Sequence, residues 1–341
     1  MSSHALPVTG DPAVYIIHDN PEWIAPFTEA LDRLGVAHVE WLLPETTIDL
    51  AAEPPEGLFW SRLSASAHTR TDPHVKEYGR AVLDWLAAAG RRVINGRGVY
   101  ELEVSKIRQH RELAGRSFDV PRTAAAFGPQ ALVEAAGGFT PPFITKHNQG
   151  GKGLGVRRFD SHAELSAAAD EFAPGVANAP IDGITLIQEY VQPAQPFITR
   201  AEFIGGRFHY AVRVDVSGGS FELCPADACA VPGAGTDTVV EAAPPFARRE
   251  EITAATPLIS RLETLLADLN IEIAGIEFIE TADGRQVVYD INTNTNYNPS
   301  VESAEQTSGR QSAADRIAEF VSDALAEAAP PSVSPVGSTV R

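Results

Sequence analysis

The chain has 341 residues, more than one ordinary domain needs, so two or three domains are expected. Its 44% hydrophobic and 21% charged residues are those of a globular protein with ample material for cores. A net charge of -18 argues against a nucleic-acid partner, which would require a basic face.

In chain order, "AVYIIHD" (13–19) is predicted as a buried strand and "WIAPFTEALDRLG" (23–35) as a helix stopped by Gly35. "AHVEWLL" and "GLFWSRL" follow as strands. A helix over about 73–89 carries Val82, Leu83, Trp85 and Leu86 at helical spacing, closes at Gly90 and leads to a short strand in "RRVING". Strands alternating with helices predict a small open parallel sheet. From about 97 the pattern changes: one helix over "YELEVSKIRQHRELAG", a strand in "FDVPRTAAAF" and a helix at 129–136. Then come "PFITK", a glycine loop and "GVRRF". Ser161 and Glu164 form a capping-box signature for the next helix. "GITLIQEYV", "FITRAEFIGGRFHYAVRVDV" and "EIAGIEFIETADGRQVVYDINTNTN" make a β-rich part, with helices at about 254–269 and 311–327. The end, "APPSVSPVGSTVR", is expected to be a mobile tail.

Two cysteines, Cys224 and Cys229, lie in "ELCPADAC" without metal-pair spacing or a disulfide framework, which fits a reducing compartment. The N-terminus "MSSHALPVTGDP" lacks an apolar core, and no apolar run approaches the roughly 20 residues of a membrane span. The expectation is a cytoplasmic protein with no membrane partner.

The loop "KHNQGGKGLGV" (146–156) is the first candidate for chemistry. It is no Walker A loop, because Gly153 follows Lys152, and no dinucleotide fingerprint, because it opens onto a strand. The "HRD" and "DFG" of protein kinases are absent. A strand–glycine loop–strand flap with Lys146 and Lys152 suits phosphates, although alone it is equally a plain turn. Arg200 in "FITRAEF" and Arg213 in "YAVRVDV" alternate so that one strand face can present both guanidiniums.

The segment "AGIEFIETADGRQVVYDINTNTN" is more specific. A two-residue turn at its "DG" pairs Ala282 with Arg285, and counting back sets Glu277 opposite Asp290. Period two then puts Asp290, Asn292, Asn294 and Asn296 on one face beside Glu277. Like charges directly opposite destabilise a sheet, so a hard divalent cation is the expected compensation.

With glycine flap, arginines and acid-x-Asn hairpin in this order, the sequence resembles the ATP-grasp superfamily over most of its length. It is most similar to ligases related to glutathione synthetase and the ribosomal-protein glutamate ligase. The matching stretches are "SKIRQHRELAGRSFDVPRT", "PFITKHNQGGKGLGV", "LIQEYV", "ITRAEF", "YAVRVD", "AGIEF" and "YDINTN". The resemblance implies an α/β fold in three parts. These are an N-terminal parallel-sheet domain (1–97), linker helices with a glycine-loop lid (98–187) and a larger C-terminal α+β part (188–328), before the tail (329–341). It implies that Lys106 and Lys146 contact ATP phosphates and that Gly150, Gly151, Lys152 and Gly153 fold over them. Gln188, Glu189, Tyr190 and Val191 would hold the adenine, and Glu277, Asp290 and Asn292 would ligate Mg2+ or Mn2+. Arg200 would lie near the γ-phosphate and Arg213 would reach the acyl-phosphate or substrate. The family usually has Asp first and Glu-x-Asn second, and here the two acids are exchanged.

The function expected is ATP-dependent ligation of a small-molecule carboxylate to an amine through an acyl-phosphate. A small-molecule kinase and a nucleotide-binding module without turnover stay open as alternatives. A homodimer or higher homo-oligomer is also open. "FWSRLSASAHTR" (59–70) is a candidate lining of the substrate pocket, whereas His110 and His209 are expected to be structural or solvated.

Overall fold

The computed structural model describes residues 11–44, 46–70, 72–151, 153, 155–177, 179–217 and 245–328. Cys224, Cys229, Lys152 and the C-terminal tail lie outside these residues. The first sheet arises from β1 (Ala13–His18), α1 (Ala25–Leu34), β2 (His38–Leu42), β3 (Gly57–Arg62), α2 (Val75–Ala88) and β4 (Arg92–Ile94). Its strands are parallel in the order β2-β1-β3-β4. Every residue of β1 is buried, because helices cover both faces of a parallel sheet. Gly35 ends α1 in the left-handed region at φ 66, where a side chain would be strained.

The single helix expected after residue 97 is two, α3 (Arg97–Glu103) and α4 (Lys106–Gly115). Ser105 is extended between them, and its Oγ accepts from Arg108 N at 3.3 Å, an N-cap that restarts the helix with Lys106 first.

The second sheet is antiparallel in the order β5-β8-β6-β7. It comprises β5 (Thr123–Phe127), α5 (Pro129–Ala136), β6 (Phe143–His147), β7 (Arg157–Phe159), α6 (His162–Ala168) and β8 (Ile184–Glu189). At the start of α6 the Ser161 side chain caps Glu164 N as expected, but Glu164 returns its bond to Asp160 N rather than to Ser161. The third part contains β9 (Phe197–Ile204), β10 (Arg207–Asp215), β11 (Phe246–Arg248), α7 (Pro257–Leu269), β12 (Ile273–Glu280), β13 (Gln286–Asn292), α8 (Pro299–Thr307) and α9 (Ala313–Ala328). Its sheet is antiparallel, ordered β11-β10-β9-β12-β13.

This last sheet has two different faces, and the difference positions the site. One face sets Ala201, Phe203, Ile276 and Phe278 against Leu258, Leu262, Leu265 and Leu266 of α7. Each leucine so buried contributes about 2 kcal/mol. The other face shares a core with β1, β3, α1 and α9 through Ile198, Ile204 and Val212, leaving its middle polar. The reading of the sequence passed over β11 and α8. The latter starts at Asn298-Pro299, where the Asn298 side chain accepts from Ser300 N and Val301 N. Among the described residues no helix is long and apolar enough to cross a membrane.

Candidate active site

The β12–β13 hairpin carries the expected pair, with Glu277 opposite Asp290 and Asn292 opposite Gly275, but by a different route. The turn is wider than two residues: Thr281 N donates to Arg285 O at 3.0 Å, and Glu280 pairs with Gln286. That shifts the ladder by one step, and a bulge at Tyr289 shifts it back. The neighbouring Val288 N donates to Asp119 O at 2.8 Å, which ties the bulged strand to the segment before β5.

Compensation of the two carboxylates also differs from expectation. Glu277 is held from both sides, its Oε1 2.8 Å from Arg200 Nη1 and its Oε2 accepting from Tyr289 Oη at 2.8 Å. Asp290 pairs with Lys106 through Oδ1. The repulsion expected without a cation is therefore already balanced, charge by charge, by protein groups.

Arg200 lies opposite Glu277 on β9 with its guanidinium flat over Gly275, where a Cβ would come within 2.6–2.8 Å of it. It also donates to Glu202 Oε1 at 2.7 Å and to the Thr295 hydroxyl. Burial works against its charge, but Glu202 and Glu277 outweigh burial and keep it firmly protonated. Arg213 is elsewhere. Phe208 pairs with Phe203 but Tyr210 with Glu202, so His209 is an extra residue and every later side chain on β10 changes face. Arg213 then pairs with Thr199, on the side of Ala201 and Ala211 that faces α7, and does not line the cavity. The expectation that both guanidiniums share a face fails on that bulge.

The lysines arrive from two other elements. Lys106 begins α4, and burial would depress it, but Asp290 outweighs burial and raises it. Burial would likewise raise Asp290, and Lys106 and Lys146 outweigh it and lower it. Lys146, on β6, has no carboxylate in contact among the described residues and bonds Tyr289 O at 3.5 Å. Burial, reinforced by the charge of Lys106, pulls it down to about 8. Asn148 clamps these parts together: its O accepts from Lys106 N at 3.1 Å, its Oδ1 from Ile107 N at 3.0 Å, and its Nδ2 donates to Asp182. Beyond it Gly153 and Gly155 take φ of 73 and 74, and a Cβ on Gly155 would overlap the His147 ring at 2.5 Å.

Among these groups lies one cavity of about 330 Å³, a size that suits a small ligand. Lys106, Lys146, Gly150, Gly151, Gly153, Arg200, Glu277, Asp290 and Asn292 line it. At one end Gln188, Glu189, Tyr190 and Val191 join an apolar wall of Ile144, Val156, Ile198 and Ile279 that the sequence reading missed. The Gln188 side chain donates to Thr123 Oγ1 at 2.8 Å. Arg158 lies 4.6 Å from the Tyr190 ring. At the other end stand Trp23, Ser64, Ala65 and Ser66, so part of the 59–70 stretch does reach the cavity. They follow the carboxyl ends of β1 and β3, where open parallel sheets bind ligands. Asp19 fixes them, accepting from Ser64 N at 2.6 Å and from Arg70 at 2.7 Å. Asn294 and Asn296 also line the cavity, beyond the last residue of β13.

Whether the hairpin can hold a divalent cation follows from its donors. Two carboxylates and an amide offer hard oxygens, and each carboxylate keeps lone pairs beyond its present bond. Among the described residues no group of three or more His, Cys, Asp or Glu side chains is placed to hold an ion. The residues fit a cation such as Mg2+ that takes one or two carboxylates and completes its shell with phosphates and water.

No protein-family model and no curated protein sequence gives a significant match. Solved structures do. The RimK domain protein ATP-grasp from Sphaerobacter thermophilus is similar at TM-score 0.61 and 18% identity, covering 91% of this chain and 99% of that one. D-alanyl-alanine synthetase A from Vibrio cholerae matches at TM-score 0.60 and 12% identity, over 93% of this chain and 100% of that one. The ATP-grasp ligase PsnB, complexed with minimal precursor, Mg and ADP, matches at 0.59 and 16%, over 93% and 99%. The chain has the ATP-grasp fold.

Proposed function

We propose that the protein is an ATP-dependent ligase that joins a carboxylate to an amine through an acyl-phosphate. The observation that carries this is convergence: Lys106 from α4, Lys146 from β6, Arg200 from β9 and the acids of β12 and β13 meet in one cavity. The names of the similar structures, ligases and a synthetase, one bound to Mg and ADP, support it. The apolar end would take the adenine of ATP and the lysines its phosphates. Glu277, Asp290 and Asn292 would hold a divalent cation, which would supply charge neutralisation at the phosphates. Lys106 and Lys146 add charge-assisted hydrogen bonds to the same oxygens.

A substrate carboxylate oxygen attacks the γ-phosphorus, and the bond to the bridging oxygen breaks to release ADP. An amine then adds to the acyl carbon, and phosphate leaves with its bonding electrons as the amine loses a proton. Arg200, rather than the Arg213 that the resemblance has reaching the acyl-phosphate or substrate, stabilises the tetrahedral oxyanion, since it alone of the two faces the cavity. The test is a phosphate-release screen of amino-acid pairs with Mg-ATP. Release that requires both a carboxylate and an amine is expected. A stable phosphorylated product would instead indicate a kinase, and absence of Mg-ATP binding by calorimetry would refute the proposal.

A further inference from the structure

We propose that Asn294 reads an amide on the substrate, so that one of the two substrates carries a carboxamide or peptide group. This rests on the ligase reading above.

The residues around it are all committed. Thr293 N and Oγ1 donate to Glu103 Oε2 at 2.7 and 2.9 Å, and Thr293 O accepts from Asn95 at 2.9 Å. Thr295 O accepts from Arg62 at 3.0 Å, and its hydroxyl bonds Glu202 at 2.9 Å. Flanked by two anchored threonines, Asn294 cannot swing away from the cavity it lines. It is 8% exposed, yet neither Oδ1 nor Nδ2 has a partner among the described residues. A buried amide left unpaired is costly, which points to a ligand that completes it.

The chemistry of that ligand follows from what stands nearby. Asn294 offers one acceptor and a donor side by side, matched by an amide, whose N–H and C=O are equally close. Two charged groups nearby hold partners of their own. Arg70 is turned to Asp19, Ser64 and Ser66, and Glu103 to Thr293 and Ala65 N. Arg62 lies behind Asn296, bonded to its Oδ1 at 2.7 Å and stacked over Phe27, and does not line the cavity. A free carboxylate here would meet amides and hydroxyls first, because the Arg62 guanidinium is held behind Asn296.

The experiment compares triplets differing in one group: glutamine, glutamate γ-methyl ester and glutamate, then glycinamide, glycine methyl ester and glycine. Phosphate release with Mg-ATP is followed for wild type and Asn294→Leu, which keeps the shape and removes both polar atoms. Wild type should prefer the amide of at least one triplet by about tenfold or more in kcat/KM. Asn294→Leu should erase that preference, mainly through KM, with Mg-ATP affinity unchanged and melting temperature equal or higher. A structural asparagine would lose stability instead. If the leucine variant does not fold, Asn294→Ser gives the same comparison. A preference for the free carboxylate, no preference, no turnover of any member, or a preference that survives substitution overturns the amide assignment. If wild type binds no Mg-ATP, the ligase reading fails first and the amide assignment with it.

Discussion

Asp290→Asn isolates what the hairpin does when no nucleotide is present. The Lys106 and Asp290 side chains are only 13% and 17% exposed, and Asp290 is the one carboxylate in contact with that ammonium. Removing one partner of a buried ion pair costs about 3–5 kcal/mol because the remaining charge is stranded. Asparagine still accepts one hydrogen bond, which places the loss at the lower end, about 3 kcal/mol, or roughly a hundredfold in local opening. Hydrogen exchange of the β12–β13 amides should accelerate by about that factor. The pH dependence has a definite sign. Asp290 titrates below its ordinary value when folded, so its contribution is present above the unfolded carboxylate value of ~3.9 and is lost as pH falls through the folded one. In the variant Lys106 loses Asp290, the largest of the charges that offset its burial, and keeps only Glu103 and Glu277, so it sheds its proton more readily and stability recovers as pH rises toward the unfolded lysine value of ~10.4. Adding Lys106→Met should restore most of the loss at neutral pH. Exchange unchanged or slowed in Asp290→Asn would refute the balance of charges described here and return the pair to uncompensated repulsion.

Lys146→Ala should weaken Mg-ATP binding roughly 10- to 150-fold by calorimetry, through loss of a charge-assisted contact worth about 1.5–3 kcal/mol. Wild-type apo stability should rise between pH of about 8 and ~10.4, because the folded state there holds fewer protons than the unfolded one, and urea melts of Lys146→Ala should lack that rise. Gly275→Ala drives a Cβ into the Arg200 guanidinium and should cost about 1–3 kcal/mol in thermal melts together with most turnover; full activity would mean that Arg200 is not held there for catalysis. Arg213→Ala, on the far face of the sheet, should leave Mg-ATP affinity within about twofold, and a larger loss would restore its expected role.

The hairpin acids and the glycine loop of the candidate site were legible from alternation within strands and glycine-rich punctuation, both local properties, whereas Lys106 and Gln188–Val191 came only with the resemblance. The two places where counting met trouble are both bulges, with opposite outcomes. At Tyr289 the bulge cancels the error of assuming a two-residue turn, so Glu277 and Asp290 meet as expected. At His209 the bulge reverses the face of every later residue, so Arg213 leaves the site. Neither is visible in a single sequence, because the Val288–Asp119 bond beside the first is tertiary. Ser105 did carry a signal for the break before Lys106, a capping residue between helical runs. The Asn-Pro at 298–299 likewise marked α8. The apolar wall beside Gln188–Val191 and the serines after β3 come from separate sheets, and nothing local in the sequence brings them together.

The charges of the site explain why such a cavity can wait without its ligand. Arg200, Lys106 and Lys146 carry three positive charges, and Glu202, Glu277 and Asp290 three negative ones, all on elements lining one space. Were the two ligand-facing acids left bare, their repulsion would weaken the hairpin in the apo protein. Were the lysines left bare, their desolvation would weigh on α4 and β6. Pairing Lys106 with Asp290 and Arg200 with Glu277 answers the first problem and, for Lys106, the second. On the proposed function, binding is then an exchange of partners: triphosphate oxygens take the lysine, and the cation that accompanies them takes the carboxylate. Neither half is favourable alone, since phosphate without a cation meets two acids, and a cation without phosphate must displace a lysine from its partner. Lys146, which among the described residues has no carboxylate in contact, would on the proposed function gain its counter-charge from the phosphate. Its lowered proton affinity comes from burial, reinforced by the charge of Lys106.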